Sequence, residues 1–196
     1  MSKYIYYLIL LLIILTGCSI NSQYARDSSH TGQPKVVEAI GSSPQVLVKN
    51  LYIHWTLTKH EDIFYISQRE GLIVEVDIEA GSVTTQSLSL SKDVHNEGVG
   101  GLLGLVLAPD FELSKQAFAY YTFKQRNETR NRVIVLQRND DTWIEKRNLL
   151  DGIPGGRIHN GGRMKLGPDG KLYVATGDSG NPELGGNSEI ITCCTG

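Results

Sequence analysis

A β pattern that recurs at nearly constant spacing constrains this chain more than any other feature. The segments "WTLTKHEDIFYISQREG", "LGLVLAPDFELSKQAFAYYTF" and "RMKLGPDGKLYVATGDSG" each run apolar strand, polar turn, then a second strand with a tyrosine. Those tyrosines are Tyr65, Tyr120 and Tyr173, separated by 55 and 53 residues. Around them lie further short β-rich runs: "QVLVKNL", "LIVEVDI", "RVIVLQR" and "TWIEKRNLL". A period near 50 with about four strands per unit is the size of a propeller blade. A sandwich also uses short strands but does not predict the recurrence. No stretch has a helical period with caps at both ends. The expected fold is all-β, a β-propeller of which about three blades are present, where closed propellers have about four to eight.

Composition agrees with a turn-rich globular domain: 40% hydrophobic residues, 21 glycines and 20% charged residues. The net charge of -2 and the lack of any basic cluster argue against nucleic acid as a partner.

The N-terminus predicts export. Lys3 precedes an unbroken apolar run, Tyr4 to Leu15, and then Thr16-Gly17-Cys18. Twelve apolar residues fall short of the roughly 20 that span a bilayer. A positive start, apolar core and small-residue cleavage site make a secretory signal. A cysteine after Leu-Thr-Gly resembles a bacterial lipobox, which implies cleavage before Cys18 and lipid on its sulfur. Residues 1–17 are therefore expected to be a lipoprotein signal peptide and 18–40 a polar tether, with His30 solvated within it. The domain would sit outside the cytoplasmic membrane, anchored by lipid.

"HNGGRMKLGPDGKLYVATGD" carries an ionisable residue at each end of a hairpin. Pro168-Asp169-Gly170 supplies the turn, so strands at 163–168 and 171–177 pair residues whose numbers sum to about 339. Extending that ladder brings His159 and Asp178 out at the same end, within hydrogen-bonding reach. A carboxylate on one imidazole nitrogen fixes the tautomer and leaves the other nitrogen as a base. The plainer alternative is a polar pair at a loop end. Asn160-Gly161-Gly162 favours a site slightly, because glycines let a ligand approach the backbone.

Other motifs lead nowhere. "TGDSGNP" resembles the nucleophile loop of chymotrypsin-like proteases, but no histidine lies in the setting that Ser179 would need. "EGVGGLLG" lacks the spacing of a dinucleotide loop and runs into a strand. The acids of "NDDTW" read as a solvated turn, and His54, His60 and His95 show no metal-ligand spacing, so no metal residue is assigned. Trp55 and Trp143 read as core or blade-surface residues.

Four phrases occur in order: "REGLIVEVD" (69–77), "GGLLGLVLAPDF" (100–111), "LLDGIP" (149–154) and "RIHNGGRMKLGPDGKLYVATGD" (157–178). Together, over about residues 44 to 184, they resemble the glucose/sorbosone dehydrogenase family, soluble quinoproteins that include aldose sugar dehydrogenases. The resemblance implies a six-bladed β-propeller carrying pyrroloquinoline quinone (PQQ) and calcium on one face. It implies oxidation of an aldose to a lactone, with hydride passing from the sugar C1 to the quinone and electrons then to an external acceptor. His159 matches the family's catalytic base and Asp178 the acid that holds it. Calcium there polarises the quinone as a Lewis acid.

Three departures qualify what the resemblance implies. Val99 stands where the family has Glu or Gln close to the sugar, with Glu97 nearby, so both are candidate substrate residues. Ile158 stands where the glucose-specific branch has an acid. Both changes point to broad aldose specificity. After "GNPEL" the family runs through an Ala-Gln-Asp segment into a Gly-Lys-(Ile/Val)-Leu-Arg strand, whereas this chain reads "GGNSEIITCCTG". Residues 41–184 are expected to be a partial propeller and 185–196, with vicinal Cys193 and Cys194, an out-of-frame tail. The catalytic arginine, the calcium ligands and most quinone contacts would then be missing, and the chain would be inactive. One alternative is a non-catalytic, propeller-type surface lipoprotein fragment. A sugar-lactone hydrolase on a related propeller is another.

Overall fold

Strands carry almost all of the regular structure. The computed structural model describes residues 35–36, 44, 46–187 and 190–193, all within the unit Gly32–Gly196. The signal segment, His30, Cys18 and most of the tether lie outside the described residues. Among the described residues no helix is long and apolar enough to cross a membrane.

Two four-stranded antiparallel meanders follow one another. The first is β3 (His54–His60), β4 (Ile63–Gln68), β5 (Leu72–Asp77) and β6 (Ser82–Ser89); the second is β7 (Leu102–Leu107), β8 (Gln116–Gln125), β9 (Glu128–Asn139) and β10 (Thr142–Pro154). A third sheet holds β11 (Gly161–Leu166), β12 (Leu172–Thr176) and β13 (Ile190–Cys193). A two-residue pair, β1 (Lys35–Val36) and β2 (Val48–Lys49), precedes them. The first strands of the three sheets lie side by side, β7 touching both β3 and β11. This is the blade arrangement of a propeller, with two blades of four strands and three strands of a third among the described residues. The last strands of blades one and two also touch, through a short parallel pairing of Ser87, Leu88 and Ser89 with Thr142, Trp143 and Ile144.

Packing follows from period-two alternation in strands that are buried on both faces. In β9, Ile134 and Leu136 face blade one, alongside Tyr65, Ile73, Phe111 and Trp143. Their neighbours Val133 and Val135 face blade three, alongside Met164, Leu172 and Val174. A bulge at Leu103, between the pairs Leu102–Tyr121 and Gly104–Tyr120, takes its carbonyl out of the ladder. Thr56 Oγ1 donates to that carbonyl at 2.6 Å and Ser67 Oγ at 3.4 Å, which ties blade one to blade two. The opposite face of blade one is open: an apolar groove there is lined by Val46, Leu51, Trp55, Leu57, Phe64 and Val76.

The tyrosine recurrence marks the second strand of every blade, Tyr65 in β4, Tyr120 in β8 and Tyr173 in β12. Their surroundings are not equivalent. Tyr65 and Tyr120 are fully buried on different interfaces, and burial raises the Tyr65 hydroxyl to about 12. The Tyr173 hydroxyl instead donates to Asp169 in its own turn. β6, a short helix α1 (Phe111–Ser114) and β13 are not among the elements that the sequence predicts. "SVTTQSLS" has no run of large apolar residues, so only its pairing with β5 and β10 declares it a strand. The backbone of residues 190–193, within the segment expected to be a tail, pairs with β12 as the third strand of its sheet.

Candidate active site

The hairpin that opens on His159 closes as its turn chemistry dictates. Gly167 N donates to Lys171 O at 2.8 Å, and the ladder runs Leu166–Leu172, Lys165–Tyr173, Met164–Val174 and Arg163–Ala175. A bulge between Gly161 and Arg163 then shifts the register by one, pairing Gly161 with Thr176. That shift carries His159 opposite Asp178.

The two side chains meet at 2.8 Å, His159 Nδ1 to Asp178 Oδ1. The backbone N–H of Gly180 donates to the same oxygen at 2.8 Å. These two bonds, the Gly180 amide first, hold the Asp178 carboxyl below its ordinary 3.8. An ionised Oδ1 accepts only, so Nδ1 is the ring nitrogen that donates to it, and Nε2 is left to face outward. The imidazole side chain is 63% exposed while Asp178 is 29% exposed. The imidazole therefore faces outward from a carboxylate that the loop partly encloses.

His159 has φ of 54°, in the left-handed region that an L-residue occupies at a cost. Its neighbour explains how that conformation is held. Asn160 is 2% exposed, and its Oδ1 accepts from Gly156 N at 2.9 Å and Asn131 Nδ2 at 3.2 Å. Its Nδ2 donates to Gly156 O at 2.8 Å, and its carbonyl accepts the buried Tyr120 hydroxyl at 2.8 Å. The sequence reading saw Asn160 only as part of a permissive glycine turn; its place as the anchor of the loop was missed. The two glycines after it serve the protein's own packing. Gly162, with φ of 95°, lies where a Cβ would stand 2.8 Å from Leu103 Cβ and 2.9 Å from the Tyr120 ring.

Glu97 reaches the same end from the loop that precedes β7. Its carboxylate stands 3.4 Å from His95 Nε2 and 3.8 Å from Arg157 Nη1. Arg157 is two residues ahead of His159, so Glu97 belongs to the same rim. Val99 joins through its backbone, its N–H donating to Arg157 O at 2.8 Å. A shallow cleft lined by Arg130, Pro154, Ser179 and Asn181 opens nearby. Ser179 Oγ donates to Pro154 O at 2.8 Å, and so it is engaged with backbone rather than with an imidazole.

Among the described residues, no three acidic or histidine ligand atoms converge at this rim. One such group, His60, Glu61 and Glu112, lies at the far end of β3, with Glu112 Oε2 already 2.9 Å from His60 Nε2 and 3.6 Å from Lys115 Nζ. Spacing had given no sign of it, because Glu112 comes from another blade.

Against known proteins, residues 51–190 match the family model described as glucose / sorbosone dehydrogenase. The chain belongs to this family. It is 30% identical over 173 residues to quinoprotein glucose dehydrogenase B of Acinetobacter calcoaceticus, covering 83% of this chain and 34% of that protein. Its structure resembles the PQQ-bound aldose sugar dehydrogenase of Streptomyces coelicolor, with TM-score 0.65 and 28% identity over 83% of this chain and 48% of that one. The apo-form soluble aldose sugar dehydrogenase of Escherichia coli gives TM-score 0.57 and 27% identity, over 67% of this chain and 39% of that one. The chain thus spans about a third to a half of the length of these relatives.

Proposed function

We propose that this chain is part of a PQQ-dependent dehydrogenase that oxidises the C1 hydroxyl of aldoses to the lactone. The observation that carries the reading is the His159–Asp178 pair, an outward-facing imidazole whose tautomer an ionised carboxylate fixes. His159 Nε2 would take the hydroxyl proton while Asp178 stabilises the imidazolium that forms. PQQ, when bound, supplies the acceptor for the C1 hydride. The donor set suits such a group: a basic nitrogen and the guanidinium of Arg157, 82% exposed, share one rim and would bear on an anionic, planar quinone. Glu97 and Val99 would border the sugar, and with Ile158 beside the base the site would accept aldoses broadly. Calcium finds no ligand set among the described residues of this rim, and no step is assigned to it.

The 196 residues alone are proposed not to turn over, since they span only about a third to a half of the length of the relatives they match. The test is sugar-dependent dye reduction with added PQQ and calcium, on two proteins. One is the 196-residue chain; the other is the same chain completed by the part of the Streptomyces coelicolor enzyme that it does not cover. Activity in the completed protein alone is the expected result. Activity in the short chain would overturn the inactivity proposal, and activity in neither would sink the dehydrogenase reading.

The localisation proposal is separate: export and a lipid anchor at Cys18, supported by the order of charge, apolar run and Leu-Thr-Gly-Cys. A Cys18→Ser variant is expected to leave the membrane fraction and to lose labelling by radioactive palmitate. Unchanged partitioning would remove the anchor from the account.

A further inference from the structure

Arg69 sits in the tight turn between β4 and β5 of blade one, a position where an arginine ordinarily reaches into solvent. Here it turns inward across the blade boundary. Its Nε donates to Gly100 O at 2.7 Å, and its Nη2 donates to Asn96 O at 3.0 Å and also to Gly98 O. Three carbonyls of alternate residues in one loop thus converge on one guanidinium. The backbone of Arg69 holds the same segment, its carbonyl accepting Leu102 N at 3.1 Å. Gly101, with φ of 132°, comes so close that a Cβ there would stand 2.3 Å from Arg69 O.

The other side of this loop is the approach to the base. Val99 N donates to Arg157 O, and a Cβ on Gly98 would stand 2.1 Å from that same oxygen. The start of the loop is held separately, by Arg132 Nη1 donating to Ser91 Oγ at 3.0 Å and by His95 N donating to Thr122 O at 2.8 Å. Residues 96–100 are the part of the loop that the Arg69 guanidinium reaches, and Glu97 is carried among them.

We infer that Arg69 is a positioning residue, a clamp from blade one that fixes the loop of residues 96–100 and so sets where Glu97 stands at the rim beside Arg157 and His159. The inference rests on the dehydrogenase reading for its catalytic consequence but not for its structural one. The planar fork of a guanidinium can serve three carbonyls from one place; an ammonium offers a point charge on a flexible stem and cannot. Arg69→Lys therefore keeps charge and bulk while releasing the loop.

Two measurements test it. In the 196-residue chain, hydrogen exchange at Val99 and Gly100 is expected to speed up at least tenfold in Arg69→Lys and Arg69→Ala, with β5 and β9 amides unchanged. Millimolar guanidinium is expected to restore protection in Arg69→Ala. Unchanged loop exchange overturns the clamp. Loss of strand protection together with the loop also overturns it, because Arg69 then supports the whole domain. In the completed protein, Arg69→Lys is expected to raise KM for an aldose about tenfold, the order of one lost charge-assisted hydrogen bond, with kcat changing less than about threefold. A fall in kcat at unchanged KM overturns the positioning role. If the unsubstituted completed protein reduces no dye, the dehydrogenase reading fails on its own and exchange still decides the clamp.

Discussion

Replacing His159 with asparagine in the completed protein is expected to cut kcat by about 10²–10⁴-fold, the usual contribution of a positioned general base. Asparagine suits this test for two reasons. It tolerates the left-handed φ of 54° better than most residues, and its amide nitrogen can still donate toward Asp178. The loop is kept and the base is removed, so stability should stay within about 0.5 kcal/mol of the unsubstituted protein. The pH dependence carries a second expectation. Asp178 is held below its ordinary 3.8 and stays ionised wherever such an enzyme would be assayed. Asp178 therefore contributes no acid limb to kcat/KM against pH in that range. A variant that kept the rate would remove His159 from the chemistry.

The nearness of His159 and Asp178 was legible because a hairpin with a defined turn converts sequence position into spatial position. Pro168-Asp169-Gly170 fixed where the chain reverses, and alternation fixed the pairing, to within the one-residue bulge at Gly162. Most strands of blades one and two were legible too, since buried β-branched and aromatic runs such as "RVIVLQR" and "QAFAYYTF" leave few alternatives. What escaped were features made by partners distant in sequence. β6 is a strand because β5 and β10 lie on either side of it. Arg69 reads as a solvated turn residue until blade two brings three carbonyls to it. Asn160 beside two glycines has the composition of a loop, and its burial depends on Tyr120 and Asn131 arriving from 40 and 29 residues away. Local chemistry predicts local geometry; contacts across a blade boundary have no such signal in one sequence.

Asn160 is therefore where the fold and the site can be broken together. Asn160→Ala is expected to destabilise the 196-residue chain by about 2–5 kcal/mol, read by urea denaturation. The truncation strands the N–H and carbonyl of Gly156, while Asn131 Nδ2 keeps Pro154 O at 2.8 Å. The Gly156 groups are half-buried, so each costs no more than the about 1–3 kcal/mol of a fully buried group left without a partner. Asn160→Asp separates this hydrogen-bond role from a simple loss of volume. Its first carboxyl oxygen can still accept from Gly156 N and Asn131, but the second replaces a donor that met Gly156 O at 2.8 Å. An ionised carboxylate there opposes a carbonyl, whereas a protonated one donates to it. The cost of Asn160→Asp should therefore shrink as pH falls through the titration of that carboxyl, while the cost of Asn160→Ala stays constant. Local exchange should also follow, since Ser179 N donates to His159 O at 3.1 Å and that bond depends on the loop that Asn160 anchors. If both variants proved neutral, the left-handed conformation of His159 would have to be held by the Tyr120 hydroxyl and the glycines alone.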